Sequence, residues 1–153
     1  VVHMTSYAPL LAKEKHTQWS PDLIYFNNRE VKPTTGYYVQ KLYGQNAGSH
    51  YIPSQIILDN QDNRVKLRIG SSIVRDSKTG DVIVKLVNLL PVSVETEIQL
   101  PGIGSVQPSA VRTVLAGAPE STPLPVTDTI EVGANFKQQL PAYSFTVIRL
   151  KTK

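Results

Sequence analysis

The chain has 153 residues, of which 41% are hydrophobic and 18% charged, a balance that suits one folded globular domain and excludes a disordered or fibrous chain. Its net charge of +4 arises from 16 Lys and Arg against 12 Asp and Glu, and the basic residues are spread singly (among them Lys13, Lys15, Lys32, Lys41, Arg64, Lys66, Arg68, Arg75, Lys85, Arg112, Lys137 and Arg149). They form no stripe that would track phosphates, so they read as solvated side chains on outward strand positions and argue against nucleic acid as a partner. The absence of cysteine removes disulfides and thiolate metal sites, and no apolar run approaches the roughly 18 residues that would span a membrane.

The first residues, "VVHMTSYAPL", lack the charged start and cleavage pattern of a secretion signal. The chain does not begin with methionine, and Val1 is expected to lie inside a longer parent. The compartment stays open between an exported and a cytoplasmic protein.

In chain order, two short strand-like runs come first, "VVHMTSYA" and "DLIYFN". The one helix candidate follows in "TTGYYVQKLYGQNAG": Thr34 or Thr35 caps its start, Tyr38, Val39, Leu42 and Tyr43 recur at three- and four-residue spacing, and Gly44 or Gly48 ends it. Beyond Tyr51, β-branched residues recur in short runs separated by turn residues. Ile56 to Leu58 leads into the turn "DNQDN", after which Val65, Leu67 and Ile69 alternate with Lys66, Arg68 and Gly70 in the period of a half-buried strand. "SKTGD" is a turn, and "DVIVKLVNLL" is apolar on both faces, as a central strand would be. "PVSVETEIQL" alternates and is expected to be half exposed. "SAVRTVLA", "TIEVG" and "YSFTVIRLK" complete the strands, broken by turns at "PGIGS" and the Pro-rich "GAPESTPLPVTD".

Many strands at roughly ten-residue spacing predict a mainly β chain, a two-layer antiparallel sandwich of jelly-roll type. The apolar phases place Val65, Leu67, Ile69, Val84, Leu86, Ile98, Val114, Val147 and Leu150 in its core. Two short strands and a helix ahead of it have the look of the last β/α unit of a (β/α)8 barrel.

The segments "SYAPLLAKEKHTQWSPDLIYFNN", "TTGYYVQKLYGQNAG" and the closing "LPAYSFTVIRL" resemble, in this order, the C-terminal part of the α-L-arabinofuranosidases of glycoside hydrolase family fifty-one. The resemblance covers the chain and is strongest over residues 4 to 44. One departure is the pair Asn27 and Asn28, where an acidic residue often begins that pair. The resemblance implies a parent whose catalytic barrel ends in residues 1–48, a remnant β/α unit with one helix, and a sandwich domain over residues 49–153.

It also implies a hydrolase that releases arabinofuranose from arabinan or arabinoxylan. Retention at the sugar carbon needs two carboxyl groups about 5 to 5.5 Å apart. The family's two glutamates sit on earlier barrel strands, and Glu14, Glu30, Glu95, Glu97, Glu120 and Glu131 match neither, so no catalytic residue and no activity are expected in this chain alone. Tyr7, Trp19 and Asp22 are the candidate rim of the sugar site, since barrel strand ends line it; packing at the barrel–sandwich junction is the competing role for Tyr7 and Trp19. His3, His16 and His50 have no ligand spacing, so neither metal nor cofactor is expected.

The expected partners are an arabinose-containing polysaccharide or oligosaccharide, reached through the parent, and the missing barrel. A homo-oligomer through exposed strand edges is a further expectation. Two other classes compete: a free-standing carbohydrate-binding module, disfavoured because the sandwich section has only Tyr51, Phe136, Tyr143 and Phe145 as aromatics, and a purely structural adhesion-type sandwich.

Overall fold

A computed structural model describes residue 4 and residues 6–152. Three short strands come first: β1 (Leu11–Lys13), β2 (Ile24–Phe26) and β3 (Val31–Pro33). β1 runs parallel to β2, with Leu11 opposite Ile24, and β3 returns antiparallel to β2. Of the expected "VVHMTSYA" strand, residues 1–3 and 5 lie outside the described residues, and Ser6 to Ala8 are not strand; pairing begins at Leu11.

Helix α1 (Thr35–Gln45) starts where its cap predicts. The Thr34 hydroxyl oxygen accepts from the Tyr37 amide at 3.4 Å and its proton goes to the Leu23 carbonyl at 2.8 Å, so one side chain satisfies a free helical N–H and ties the helix to the start of β2. Asn46 closes the other end, its side-chain amide donating to the Leu42 carbonyl at 2.9 Å. The turn then passes Gly48 at φ +68, where an added Cβ would lie 2.5 Å from Val74 Cγ2. Only glycine suits that position.

The remaining elements are β4 (His50–Ile52), α2 (Asn63–Lys66), β5 (Ile69–Arg75), β6 (Val82–Asn88), β7 (Val94–Gln99), β8 (Val106–Ala116), β9 (Val126–Glu131), β10 (Asn135–Leu140) and β11 (Ser144–Thr152). Six of them form one antiparallel sheet in the order β4-β5-β6-β11-β8-β9, and β10-β7 form a second. The chain is thus mainly β and a sandwich, as the strand spacing predicts.

β6 is central and covered on both sides. Val82, Val84 and Leu86 join Ile98, Leu100, Leu140, Ile148 and Leu150 in a core shared with the β10-β7 sheet. Ile83 on the opposite face joins Leu42 of α1, Val74, Leu115, Phe145 and Val147. The helix therefore packs on the outer face of the large sheet, and the fold has three layers along β6.

Several expectations fail locally, each for a physical reason. The alternation over Val65, Leu67 and Ile69 does not make a strand before residue 69: Asp62 accepts from the Arg64 amide at 2.8 Å and caps the single turn of α2. Val65 and Ile69 are consequently half-buried and Leu67 is exposed. Val114 is also only half-buried; beside it in the sheet is Val126, the exposed first residue of the edge strand β9. Ile56 to Leu58 is irregular chain. Lys85 is not a solvated lysine; it is 3% exposed, and its ammonium donates to the Asn46 carbonyl at the C-terminal end of α1 at 2.7 Å, where the helix dipole favours a cation.

Candidate functional site

The candidate rim residues belong to the segment before β1 and the loop between β1 and β2. That loop is shaped by Thr17, whose hydroxyl oxygen accepts from the Trp19 amide at 3.1 Å, a two-residue turn typical of Ser and Thr. The hydroxyl proton faces two acceptors, the Trp19 carbonyl at 3.1 Å and Asp22 Oδ2 at 3.2 Å. Asp22 is buried at 1% exposure, and its amide donates to the Tyr25 phenolic oxygen at 2.9 Å. Its second carboxylate oxygen is buried and has no hydrogen-bond partner among the described residues.

Trp19 and Asp22 are thereby joined through Thr17, while Tyr7 stands outside this hydrogen-bonded set. The three differ in access. Trp19 is 67% exposed and Tyr7 39% exposed, whereas Asp22 points inward. The roles of Thr17 and Tyr25 were not foreseen; the Thr-x-Trp spacing is the one signal that could have found the turn, and nothing local marks Tyr25.

A second cluster lies on the same small sheet. Lys32 on β3 bridges Glu14 at 2.8 Å and Glu30 at 3.0 Å, and the Asn27 amide donates to Glu14 at 2.8 Å. Asn27 Oδ1 also accepts from the Arg29 and Glu30 amides at 2.8 and 3.0 Å. The departure from an acidic residue at position 27 thus supplies both a donor to Glu14 and a turn cap.

These two glutamates are the carboxylates that the N-terminal unit brings onto a common partner. The Lys32 ammonium, helped by Asn27, holds both carboxyls below the usual carboxylate range, and Glu14 in turn raises Lys32 above its ordinary value. A proton donor in glycoside hydrolysis needs the opposite shift. The pair is built to stay charged.

Apolar recesses among the described residues lie elsewhere. One of about 410 Å³ opens between β4-β5 and β7 and is lined by Ile52, Ile56, Ile69, Ile98, Leu100 and Ile103, with Glu97 its only carboxylate. The other, also about 410 Å³, lies beside α1 against Leu115, Pro123 and Phe145 and contains none. Neither holds a carboxylate pair.

The architecture is a helix-backed β-sandwich with a thin mixed sheet ahead of it, a fold that does not by itself fix a function. The sequence profile of the α-L-arabinofuranosidase C-terminal domain matches residues 1–144, and the chain belongs to that family. A probable α-L-arabinofuranosidase A of Aspergillus terreus is 31% identical over 97% of this chain and 23% of its own length. An extracellular exo-α-L-arabinofuranosidase of Streptomyces chartreusis is 51% identical over 55 residues, 36% of this chain and 7% of the relative. The structure of an arabinose-bound GH51 α-L-arabinofuranosidase superposes with a TM-score of 0.83 and 32% identity, over 97% of this chain and 24% of that one. The chain therefore spans about a quarter of the length of the relatives it matches from end to end.

Proposed function

We propose that this chain is the C-terminal part of a longer retaining α-L-arabinofuranosidase, acting on arabinan or arabinoxylan, and that it serves as scaffold without catalysing hydrolysis itself. In this reading residues 1–48 close the catalytic barrel as its last β/α unit, and residues 49–153 are the accessory sandwich. The observation that carries it is the end-to-end family match against only a quarter of an arabinofuranosidase.

The geometry is in keeping with it. β1 pairs parallel with β2, as neighbouring barrel strands do, although β3 returns antiparallel, and Leu11 and Val31 of this thin sheet and Leu10 just before it are exposed, apolar surface that the rest of a barrel would cover. Glu14 and Glu30 are both held in the ionised form by Lys32, the opposite of what the acid of a retaining pair requires. In this reading Tyr7, Trp19 and Asp22 belong to the rim of the sugar site, Tyr7 and Trp19 exposed and Asp22 buried. A second copy pairing through the uncovered edge of β1 is the expected mode of self-association.

The test is hydrolysis of a chromogenic arabinofuranoside. The 153-residue chain is expected to show no turnover, and the longer parent to show it. Turnover by the chain alone that vanishes in Glu14→Gln or Asp22→Ala would place a complete site within these residues and overturn the proposal.

A further inference from the structure

The two sheets of the sandwich are unequal. Six strands stand on one side and only β10-β7 on the other, and a groove of about 410 Å³ opens over the inner face of β4 and β5. Ile52, Ile69, Ile73, Val84 and Leu86 floor it, the segment from Pro53 to Ile57 forms one wall, and β7 forms the other. The Ser54 and Ser71 hydroxyls, 3.2 Å apart, pin the first wall to β5.

The backbone of β7 faces this groove with its bonding groups free. The Leu100 amide donates to the Ala134 carbonyl at 2.9 Å and continues the register in which Gln99 lies opposite Asn135. Every second residue before Leu100 therefore bonds to β10, and the N–H and C=O groups of Glu95, Glu97 and Gln99 point the other way, with no strand beside them among the described residues. Such an edge beside an apolar floor is a template for one more strand.

We infer that a strand of the longer enzyme, from outside these 153 residues, adds to the free edge of β7 and fills the groove. The inference rests on reading the chain as part of an arabinofuranosidase; it spans 23% and 24% of the two relatives it matches from end to end, which leaves chain to supply the strand. The groove sets the chemistry of that strand. Side chains facing Ile69 and Ile73 are apolar, and those between them lie on the outer face beside Glu97. Among the described residues Glu97 is bound only by the Gln99 amide at 2.9 Å, whereas Glu95 has Lys137 at 3.1 Å. A Lys or Arg next to Glu97 complements it. The same charges disfavour a second copy: pairing β7 with itself about a twofold axis sets Glu97 against Glu97, or Glu95 against Glu97, in the registers of fullest overlap.

Overlapping peptides of about 10 residues, the upper range of strand length, covering the rest of the longer enzyme, are titrated against the 153-residue chain while amide exchange in β7 is followed. A peptide with this alternation is expected to bind saturably and to slow the amides of Glu95, Glu97 and Gln99, leaving Thr96 and Ile98 unchanged. Glu97→Pro, which removes an N–H from the free edge and none from the β10 ladder, lowers the affinity on the order of tenfold. Glu97→Gln, which keeps the N–H and loses the charge, lowers it about 2- to 5-fold. Circular dichroism of both variants is expected to match wild type.

Absence of any binding peptide, slowing spread alike over all β7 amides, or Glu97→Pro and Glu97→Gln chains that bind as tightly as wild type each overturns the inference. So does concentration-dependent protection of Glu95, Glu97 and Gln99 without peptide, which assigns the edge to a second copy. Its failure is separable from that of the proposed function. A longer enzyme that hydrolyses arabinofuranosides, yet leaves these three amides exchanging as fast as in the 153-residue chain, removes the added strand and leaves the activity standing.

Discussion

Asn88 is the buried polar residue on which the two sheets of the sandwich meet, and replacing it with alanine tests how the layers are joined. It ends β6 at 0% exposure. Its side-chain amide donates to the Val92 carbonyl at 2.9 Å, the Pro141 carbonyl at 2.8 Å and, at a longer 3.3 Å, the Leu140 carbonyl, and its oxygen accepts from the Leu90 amide at 3.0 Å. One side chain thus binds the connection into β7 and the connection from β10 to β11. Asn88→Ala removes three short hydrogen bonds, each contributing about 0.5–1.5 kcal/mol net, and leaves carbonyls and an N–H without their partner. Together these give a loss of about 3–5 kcal/mol, or roughly 10–15 °C in midpoint for a chain of this size. Urea unfolding followed by circular dichroism measures it, with Asn28→Ala, exposed on a turn, expected within about 0.5 kcal/mol of wild type. A loss below about 1 kcal/mol at unchanged m-value would refute the claim that this amide joins the layers.

Thr146 poses the reverse case: it is 1% exposed and its hydroxyl has no partner, so Thr146→Val is expected to raise stability by about 1 kcal/mol in the same urea assay. Ile148→Ala, at 0% exposure between the sheets, should cost about 2–5 kcal/mol through the cavity it leaves. Lys85 has its pKa lowered by burial, so between its folded value and the ordinary lysine value near ~10.4 the unfolded chain binds more protons and stability rises with pH. Lys85→Met should remove that rise, read as a pH-independent wild-type-minus-variant difference in unfolding free energy if the reasoning fails. The Arg112 guanidinium holds the Asp128 carboxyl below its usual range, so their pairing contributes above the ordinary carboxylate pKa and is lost as pH falls through the lowered value; Asp128→Asn should flatten that acid limb of the pH–stability curve.

Residues whose structure follows from near neighbours were legible, and residues defined by distant ones were not. β6 declared itself because Val82, Val84 and Leu86 and the opposite-face Ile83 and Val87 are all apolar within seven residues. α1 did so because Thr34 is a cap wherever an amphipathic run follows it. By contrast, β10 reads "NFKQQL", with no β-branched residue, and becomes a strand because β7 lies alongside it, pairing Phe136 with Ile98. That is tertiary context overriding a weak local preference. The turn of α2 shows the opposite case, in which the Asp62 cap overrides the strand-like alternation of Val65, Leu67 and Ile69. At the candidate rim, sequence could nominate Trp19 and Asp22 as an aromatic and a carboxylate near a strand end, but the inward direction of Asp22 depends on Thr17 and Tyr25 folding around it.

The burial of Lys85 links these two levels. A lysine in the middle of an apolar strand is costly unless its ammonium finds an acceptor, and the acceptor here is a carbonyl that exists only because α1 ends at Asn46 above β6. Tyr43 of the same helix stacks on Phe145 of β11 with ring centroids 4.6 Å apart, and the Lys85 ammonium lies 5.8 Å from the Tyr43 ring. Helix and sheet therefore stabilise each other: without the helix, Lys85 and Phe145 lose their cover, and without the sheet, α1 has only eleven residues and little reason to stay helical. Since Thr34 also ties the start of α1 to Leu23 beside β2, the end of the loop carrying Trp19 is joined to the sandwich through α1. Substitutions at Lys85 are accordingly expected to loosen α1 first, detectable as faster amide exchange over residues 37–45 than over β6, and uniform loosening of both would argue that the helix is held by its own propensity instead.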